Sequence, residues 1–184
     1  MRTAFLGFDG CAIWQVALLQ MFLANAGWTM DTITADGDEI VTDGGLRLRT
    51  TRALVGVRPR DYHLILMAGG DIPRSLVGDP SLQRFLTQSC GIIAASCASA
   101  VLVGSAGLIV GDYTCMPHTA ERYRDCFPNG HYTGADVCRN NRIVTSQGHA
   151  HYEFMMTVLD AVGLVAADEG LSRLALKLSK NQPL

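Results

Sequence analysis

The amino-acid sequence predicts an α/β fold in which a mostly parallel sheet is covered by helices on both faces. The first observation is the alternation of short uncharged runs, such as "LILM", with longer segments of helical periodicity. The second is that these runs have no polar face, which is typical of strands buried on both sides of a parallel sheet. The chain has 184 residues, of which 48% are hydrophobic. We therefore predict a single domain over residues 1–184.

The N-terminal half of the chain predicts two strands, one helix and one hairpin. The apolar runs "TAFLGF" and "TMDTITAD" are the two strands. Between them, "IWQVALLQMFLANAG" has apolar residues at helical spacing and ends at Gly27, a residue favoured at helix C-termini. The turn residues Asp43-Gly44-Gly45, followed by the alternation in "LRLRT", predict a hairpin over "EIVTDGGLRLRT".

The rest of the chain predicts two further buried strands, "YHLILMAGG" and "GIIAA", and a hairpin, "ADVCRNNRIVTSQG", that turns at Asn140-Asn141. The segment "GDPSLQRFLTQ" predicts a helix with Asp79 as N-cap and Pro80 in the first position. Three more helices are predicted from "ASAVLVGSAG", "HYEFMMTVLDAVG" and "DEGLSRLALKL". Ligands of such folds bind beyond the carboxyl ends of the strands.

Charge and composition narrow the classes of partner. The formal net charge is −2, which gives no electrostatic reason to expect nucleic acid or an acidic membrane surface. Residues 91–111 contain no charged side chain, but a buried strand followed by a buried helix has the same profile as a membrane span, so we expect no membrane segment. The N-terminus lacks the pattern of a secretory signal, and the predicted location is the cytoplasm.

The six cysteines show neither metal-ligand spacing nor a disulfide framework. We expect reduced and mostly buried thiols, no metal and no organic cofactor. Apart from Cys97, four of them are predicted to be inert, and Cys115 is a candidate resolving thiol. The cysteines are Cys11, Cys90, Cys97, Cys115, Cys126 and Cys138.

Cys97 differs from the other cysteines because it falls where a predicted strand becomes a predicted helix, in "AASCASA". A nucleophile elbow requires small residues two positions before and after the nucleophile, and Ala95 and Ser99 meet this requirement. The N-terminus of the following helix favours the thiolate form. The alternative interpretation is a buried cysteine in a small-residue packing seam. The glycines of "AGG" (68–70) lie at the same predicted edge and can present backbone N–H groups to an oxyanion.

The order and spacing of these segments resemble the ThiJ/PfpI superfamily, which includes the Parkinson-disease-associated deglycase, isonitrile hydratases and PfpI-type proteases. The segments are "FDG", "LILMAGG", "AASCASAVLVGSAGLIVG", "YTCMP" and "RIVTSQGHAHYEF", and they are most similar to the deglycase/ThiJ branch. The resemblance implies a flavodoxin-like three-layer sandwich, a homodimer and Cys97 as the reactive residue. It also implies backbone donors or binding groups at Gly69, Gly70 and Ala98.

The sequence departs from the superfamily at three positions. Gln15 stands where relatives have a glutamate or aspartate that hydrogen-bonds the cysteine. Ala98 replaces the histidine of the PfpI-type proteases, which excludes their triad. Met116 occupies the position of a histidine in deglycase relatives, and the nearest histidine is His118, two residues along.

Glutamine at position 15 can donate a hydrogen bond to a thiolate, but it cannot exchange a proton near neutral pH. A proton shuttle therefore has to come from another group. The candidates are His118, His149 and His151, although a lone histidine is more often a structural residue.

These residues favour a cysteine-dependent enzyme acting on a small reactive carbonyl compound, of glyoxalase or deglycase type. An isonitrile hydratase is the enzymatic alternative. A second class is a redox sensor or chaperone-like protein in which Cys97 is oxidised, and a third is a binding module with an inert thiol. A small electrophilic substrate and a second copy of the chain are the predicted partners.

Overall fold

The structure is a computed structural model that describes residues 1–180. Eleven strands form within this range. They are β1 (Arg2–Leu6), β2 (Thr29–Thr34), β3 (Ile40–Val41), β4 (Arg47–Leu48), β5 (Arg52–Ala53), β6 (Leu64–Met67), β7 (Ile92–Ser96), β8 (Val110–Tyr113), β9 (Asn129–Tyr132), β10 (Val137–Asn140) and β11 (Ile143–Ser146).

Seven of these strands form the central sheet, in the order β10-β11-β7-β6-β1-β2-β5. All neighbours in it are parallel except β10 and β11, which form the antiparallel hairpin predicted from "ADVCRNNRIVTSQG". The hairpin predicted at Asp43–Gly45 is also present as β3 and β4. Strands β8 and β9 form a separate parallel pair that the sequence did not predict.

Seven α-helices occupy the described residues. Helices α1, α5 and α7 form one packed group, and α2 and α3 form another, which gives the predicted sandwich of flavodoxin-like type. The helices are α1 (Ala17–Asn25), α2 (Pro80–Gln88), α3 (Ala100–Ser105), α4 (Pro117–Arg122), α5 (His151–Ala161), α6 (Leu164–Ala167) and α7 (Glu169–Ser179).

Burial explains the sequence of β6, and capping explains where α2 begins. The four residues of β6 are wholly inaccessible to solvent, because the sheet is covered on both faces, and this accounts for the uninterrupted apolar run. The Asp79 carboxylate accepts a hydrogen bond from the Leu82 N–H (2.8 Å) and Pro80 takes the first helical position, as predicted for α2.

The first helix begins later than predicted. Residues Ile13–Gln15 form a 3-10 turn, and α1 starts at Ala17. The reason is tertiary, since the Ala12 N–H donates to the Gly69 carbonyl (2.8 Å) and ties this segment to the loop after β6. This turn places Gln15 at the carboxyl edge of the sheet.

The uncharged run over residues 91–111 is a strand and a helix, as predicted. It forms β7, a 3-10 turn over Cys97–Ser99, and then α3. Among residues 1–180, no helix combines the length and the apolarity needed to cross a bilayer.

The expectation that most cysteines are buried is wrong. All six are free thiols, but only Cys11 and Cys115 are buried, and Cys90 is exposed. Cys90 lies in the loop between α2 and β7, where the chain returns over the surface.

A charged network joins three elements around Asp31 of β2. Its carboxylate accepts hydrogen bonds from the Arg2 guanidinium (2.6 Å) and the Tyr62 hydroxyl (2.7 Å), and Arg52 lies 3.5 Å away. Partial burial disfavours the charge, but the hydrogen bonds from Tyr62 and Arg2 outweigh it and lower the pKa of Asp31. Burial and the neighbouring carboxylate raise the pKa of Tyr62 to about 12.

Candidate active site

The candidate site lies at the carboxyl edge of the central sheet, where four parallel strands end side by side. Cys97 directly follows β7, and Gly69 follows β6. Gln15 comes from the turn after β1, and Gly148 from the loop after β11. The four residues converge because β11, β7, β6 and β1 are consecutive strands in the sheet and end at the same edge.

Cys97 has the backbone conformation of a nucleophile elbow. Its φ angle is +59°, a left-handed conformation that costs a non-glycine residue about 1–2 kcal/mol. Hydrogen bonds hold the turn, since the Ser99 hydroxyl donates to the carbonyls of Ser96 (2.7 Å) and Met67 (3.3 Å). The fold therefore maintains a strained residue at the carboxyl edge of the sheet, the edge at which ligands of such folds bind.

Two glycines border the Cys97 side chain. A Cβ atom on Gly69 would lie 2.5 Å from the Cβ of Cys97, and one on Gly148 would lie 3.1 Å from its Sγ. A side chain at position 69 is therefore excluded, and glycine at 148 leaves space beside Sγ. The thiol is half-buried, so a small molecule can reach it.

Gln15 is buried, with 5% of its surface exposed, and its amide is fixed in one orientation. Oε1 accepts a hydrogen bond from the Gly69 N–H at 2.8 Å, so Nε2 occupies the other side of the amide. A Cβ on Gly148 would lie 3.0 Å from Nε2 and 3.1 Å from Sγ of Cys97. The Gln15 donor and the thiol therefore border the same small space, and Nε2 has no hydrogen-bond partner within residues 1–180.

The backbone donors at the site differ from the prediction at one position. The Gly69 N–H is engaged by Gln15, so Gly69 positions the amide and is not an open donor. Neither Gly70 nor Ala98 uses its N–H in the loop and turn hydrogen bonds of the described residues. Gly70 has φ +127°, and a Cβ there would lie 2.3 Å from the Gly10 carbonyl, so its backbone requires glycine.

The structure separates the three candidate histidines. His118 is exposed on α4 and lines a cleft of about 90 Å³ together with Gly70 and Ala98. The His149 ring is at the surface, with Nε2 3.0 Å from the Asp136 carboxylate.

His151 lies beside Trp14 in an edge-on arrangement, with the ring centroids 5.6 Å apart. His118 is thus the histidine that shares a cleft with the backbone donors.

Two sulfur-containing residues lie close to the site. The Gly148 N–H donates to Sδ of Met116 at 3.4 Å, which places the thioether beside the glycine that borders Cys97. Burial, and secondarily the charge of Cys97, raises the pKa of Cys115 to about 12. Cys115 is therefore protonated at neutral pH and is not poised to attack an oxidised Cys97.

Gly148 is the site residue that sequence reasoning did not assign. It directly follows "TSQ" at the end of a strand, and the edge argument applied to Gly69 would have found it. No group of three or more histidine, cysteine, aspartate or glutamate side chains within residues 1–180 is arranged to hold a metal ion.

The fold and the site define a flavodoxin-like α/β protein with a cysteine at a nucleophile elbow. The chain belongs to the DJ-1/PfpI family, whose sequence profile matches residues 1–161. This confirms the resemblance to the ThiJ/PfpI superfamily. No curated protein matched the chain.

Several solved structures resemble the chain over almost its whole length. A DJ-1 superfamily protein from Agrobacterium tumefaciens is 22% identical, with a TM-score of 0.76 over 96% of this chain and 98% of that one. DJ-1beta from Drosophila melanogaster is 18% identical, with a TM-score of 0.77 over 96% of both chains. An AraC family transcriptional regulator from Pseudomonas putida is 18% identical, with a TM-score of 0.77 over 94% and 98%. At these identities the likeness shows the fold.

Proposed function

We propose that the protein is a cysteine-dependent enzyme that acts on a small reactive carbonyl compound, of glyoxalase or deglycase type. The main support is the left-handed Cys97, whose Sγ borders a space edged by glycine and by the Gln15 amide donor. A strained residue persists at such an edge only when the surrounding structure holds it, and such strain is typical of reactive sites.

The chemistry begins with addition of the Cys97 thiolate to an aldehyde carbon. The carbonyl electron pair moves to oxygen, and in this proposal the N–H groups of Gly70 and Ala98, which line one cleft, stabilise the resulting charge. For a 2-oxoaldehyde, a base then moves the proton from the former aldehyde carbon to the neighbouring carbon. The hemithioacetal becomes a thioester, which water hydrolyses to a 2-hydroxy acid and the free thiol.

The proton transfer in this scheme is assigned to His118. Gln15 can only donate a hydrogen bond through Nε2, because its amide has no proton to exchange near neutral pH. His118 borders the same cleft as Gly70 and Ala98, and the His149 ring is directed at Asp136. In this proposal the imidazole of His118 takes the role of the carboxylate that relatives have at the position of Gln15.

One observation favours a second function, that of a redox sensor. Gln15 is buried as a residue, and its Nε2 donor beside Cys97, which has no hydrogen-bond partner among residues 1–180, suits an oxygen on sulfur. Hydrogen peroxide would oxidise the thiolate to a sulfenate with release of water. A sensor of this kind requires no proton shuttle.

The test measures turnover of methylglyoxal and of a simple isocyanide by the wild type, Cys97→Ser and Gln15→Glu. Methylglyoxal turnover by the wild type that is lost in Cys97→Ser supports the proposed enzyme. Isocyanide turnover with the same dependence points to the hydratase alternative. A silent wild type that gains activity in Gln15→Glu rejects the enzyme and supports the sensor.

A His118→Asn variant tests the proton shuttle within the same experiment. If His118 moves the proton, kcat falls in this variant and the pH profile of kcat loses one of its limbs. A matched His149→Asn variant keeps that limb. The proposal extends to a homodimer acting in the cytoplasm, and light scattering of the purified protein measures the mass of the assembly.

A further inference from the structure

We propose that the cleft beside the backbone donors binds a carboxylate, held by Arg122, so that the preferred substrates are 2-oxoaldehydes with a carboxylate tail. This inference deepens the proposed carbonyl chemistry and rests on it for the reacting end of the substrate. Binding of the carboxylate end of the substrate is inferred from the cleft alone.

The cleft adjoins the place where the reacting oxygen would be stabilised. Gly70 and Ala98 form part of its wall, and α4 forms another part through His118 and Arg122. Its volume is about 90 Å³, which suits a small charged group and not a sugar or a peptide. A substrate whose carbonyl oxygen contacts the Gly70 and Ala98 N–H groups would therefore place its other end in this cleft.

The wall formed by α4 presents its basic side chains in one direction. His118 and Arg122 are four residues apart in α4, and residues at this spacing share one face of a helix. The Arg122 guanidinium lies over the Tyr123 ring, 5.3 Å from its centroid, which restricts the side chain to this region. The proposed proton carrier and the proposed carboxylate ligand thus border the same space.

Arg122 is available to a ligand. Among the described residues it forms no ion pair, including with Asp71, the acidic residue in the lining of the cleft. An arginine fork matches the geometry of a carboxylate with two parallel hydrogen bonds. Asp71 disfavours a doubly charged phosphate, so the balance of charge in the cleft suits a monoanion.

The first test uses alkylation of Cys97, which does not depend on turnover. Iodoacetate and iodoacetamide are similar in size and differ in charge, so the ratio of their rates at Cys97 reports attraction of a carboxylate. The rates are followed at the Cys97 peptide by mass spectrometry, because the exposed Cys90 also reacts. Arg122→Gln is expected to lower the iodoacetate-to-iodoacetamide ratio about five-fold, the effect of one partly exposed ion pair.

Two variants control for charge. Arg124→Gln removes the same charge two residues away, but Arg124 lines a different groove with Phe127 and Tyr132, so the ratio should stay within about two-fold, as expected for a screened charge. Asp71→Asn should raise the ratio. An unchanged ratio in Arg122→Gln, or an equal fall in Arg124→Gln, would overturn the subsite.

The second test compares kcat/KM for 4,5-dioxopentanoate, which has a carboxylate tail, with that for methylglyoxal, which has none. The wild type is expected to prefer the acid, and Arg122→Gln to lose about five-fold of that preference through KM. Equal selectivity in wild type and Arg122→Gln rejects the substrate class. If neither compound is turned over, the carbonyl chemistry fails, and the alkylation ratio still decides whether the cleft binds carboxylates.

Discussion

Replacing Cys97 by glycine and by alanine isolates the strain at the elbow. At φ +59° an alanine bears a left-handed cost of about 1–2 kcal/mol that glycine does not. Glycine loses about 0.4–1 kcal/mol more than alanine through the entropy of the unfolded chain. The difference leaves Cys97→Gly more stable than Cys97→Ala by about 0.5–1 kcal/mol, or about 2 °C in Tm for a chain of this size.

Urea and thermal unfolding of both variants at one protein concentration measure this difference. Ala24 provides the matched control, because it is exposed in the last turn of α1, where Ala24→Gly should cost about 0.5 kcal/mol. Glycine and alanine are thus expected to have opposite rankings at positions 97 and 24. If alanine is the more stable residue at both positions, the elbow is not strained and the reasoning from its geometry is refuted.

Three further predictions concern the frame of the site and the sheet. Gly70→Ala places a Cβ 2.3 Å from the Gly10 carbonyl and should lower the unfolding free energy by about 3 kcal/mol; a loss below about 1 kcal/mol in urea unfolding contradicts this packing. Asp31→Asn should cost about 2 kcal/mol at neutral pH, and because the folded pKa of Asp31 is lowered, the gap to wild type should close as pH falls below about 4. A constant gap down to acid pH argues against that network. Cys115, with its pKa raised to about 12, should remain unmodified by iodoacetamide at pH 8 while Cys97 reacts, and equal labelling in a peptide map would contradict its burial.

The central strands were predictable because their sequence and their environment agree. The "LILM" run is apolar on both faces, and β6 is wholly inaccessible on both faces. Asp79 and Pro80 predicted the start of α2 because capping is a local interaction. The elbow was predictable for the same reason, since small residues around Cys97 are a local requirement of the turn.

Contacts between distant residues account for what the sequence did not predict. Because of the Ala12–Gly69 hydrogen bond, α1 begins only at Ala17 and Gln15 lies at the site. Helical periodicity in the sequence does not reveal this hydrogen bond. The pairing of β8 with β9 joins segments that are separated by α4. The His149 ring pairs with the Asp136 carboxylate, and their separation in the sequence does not predict this contact.

The most direct test of catalysis by Cys97 is to follow this residue itself during reaction with methylglyoxal. Rapid quenching and peptide mass spectrometry would detect a covalent adduct, and lactate formation would be measured in the same samples. If Cys97 is the nucleophile, an adduct on Cys97 forms and decays as lactate accumulates, and Cys97→Ala gives neither signal. Lactate formation that persists in Cys97→Ala, or an adduct that accumulates without lactate, would contradict catalysis by this thiol.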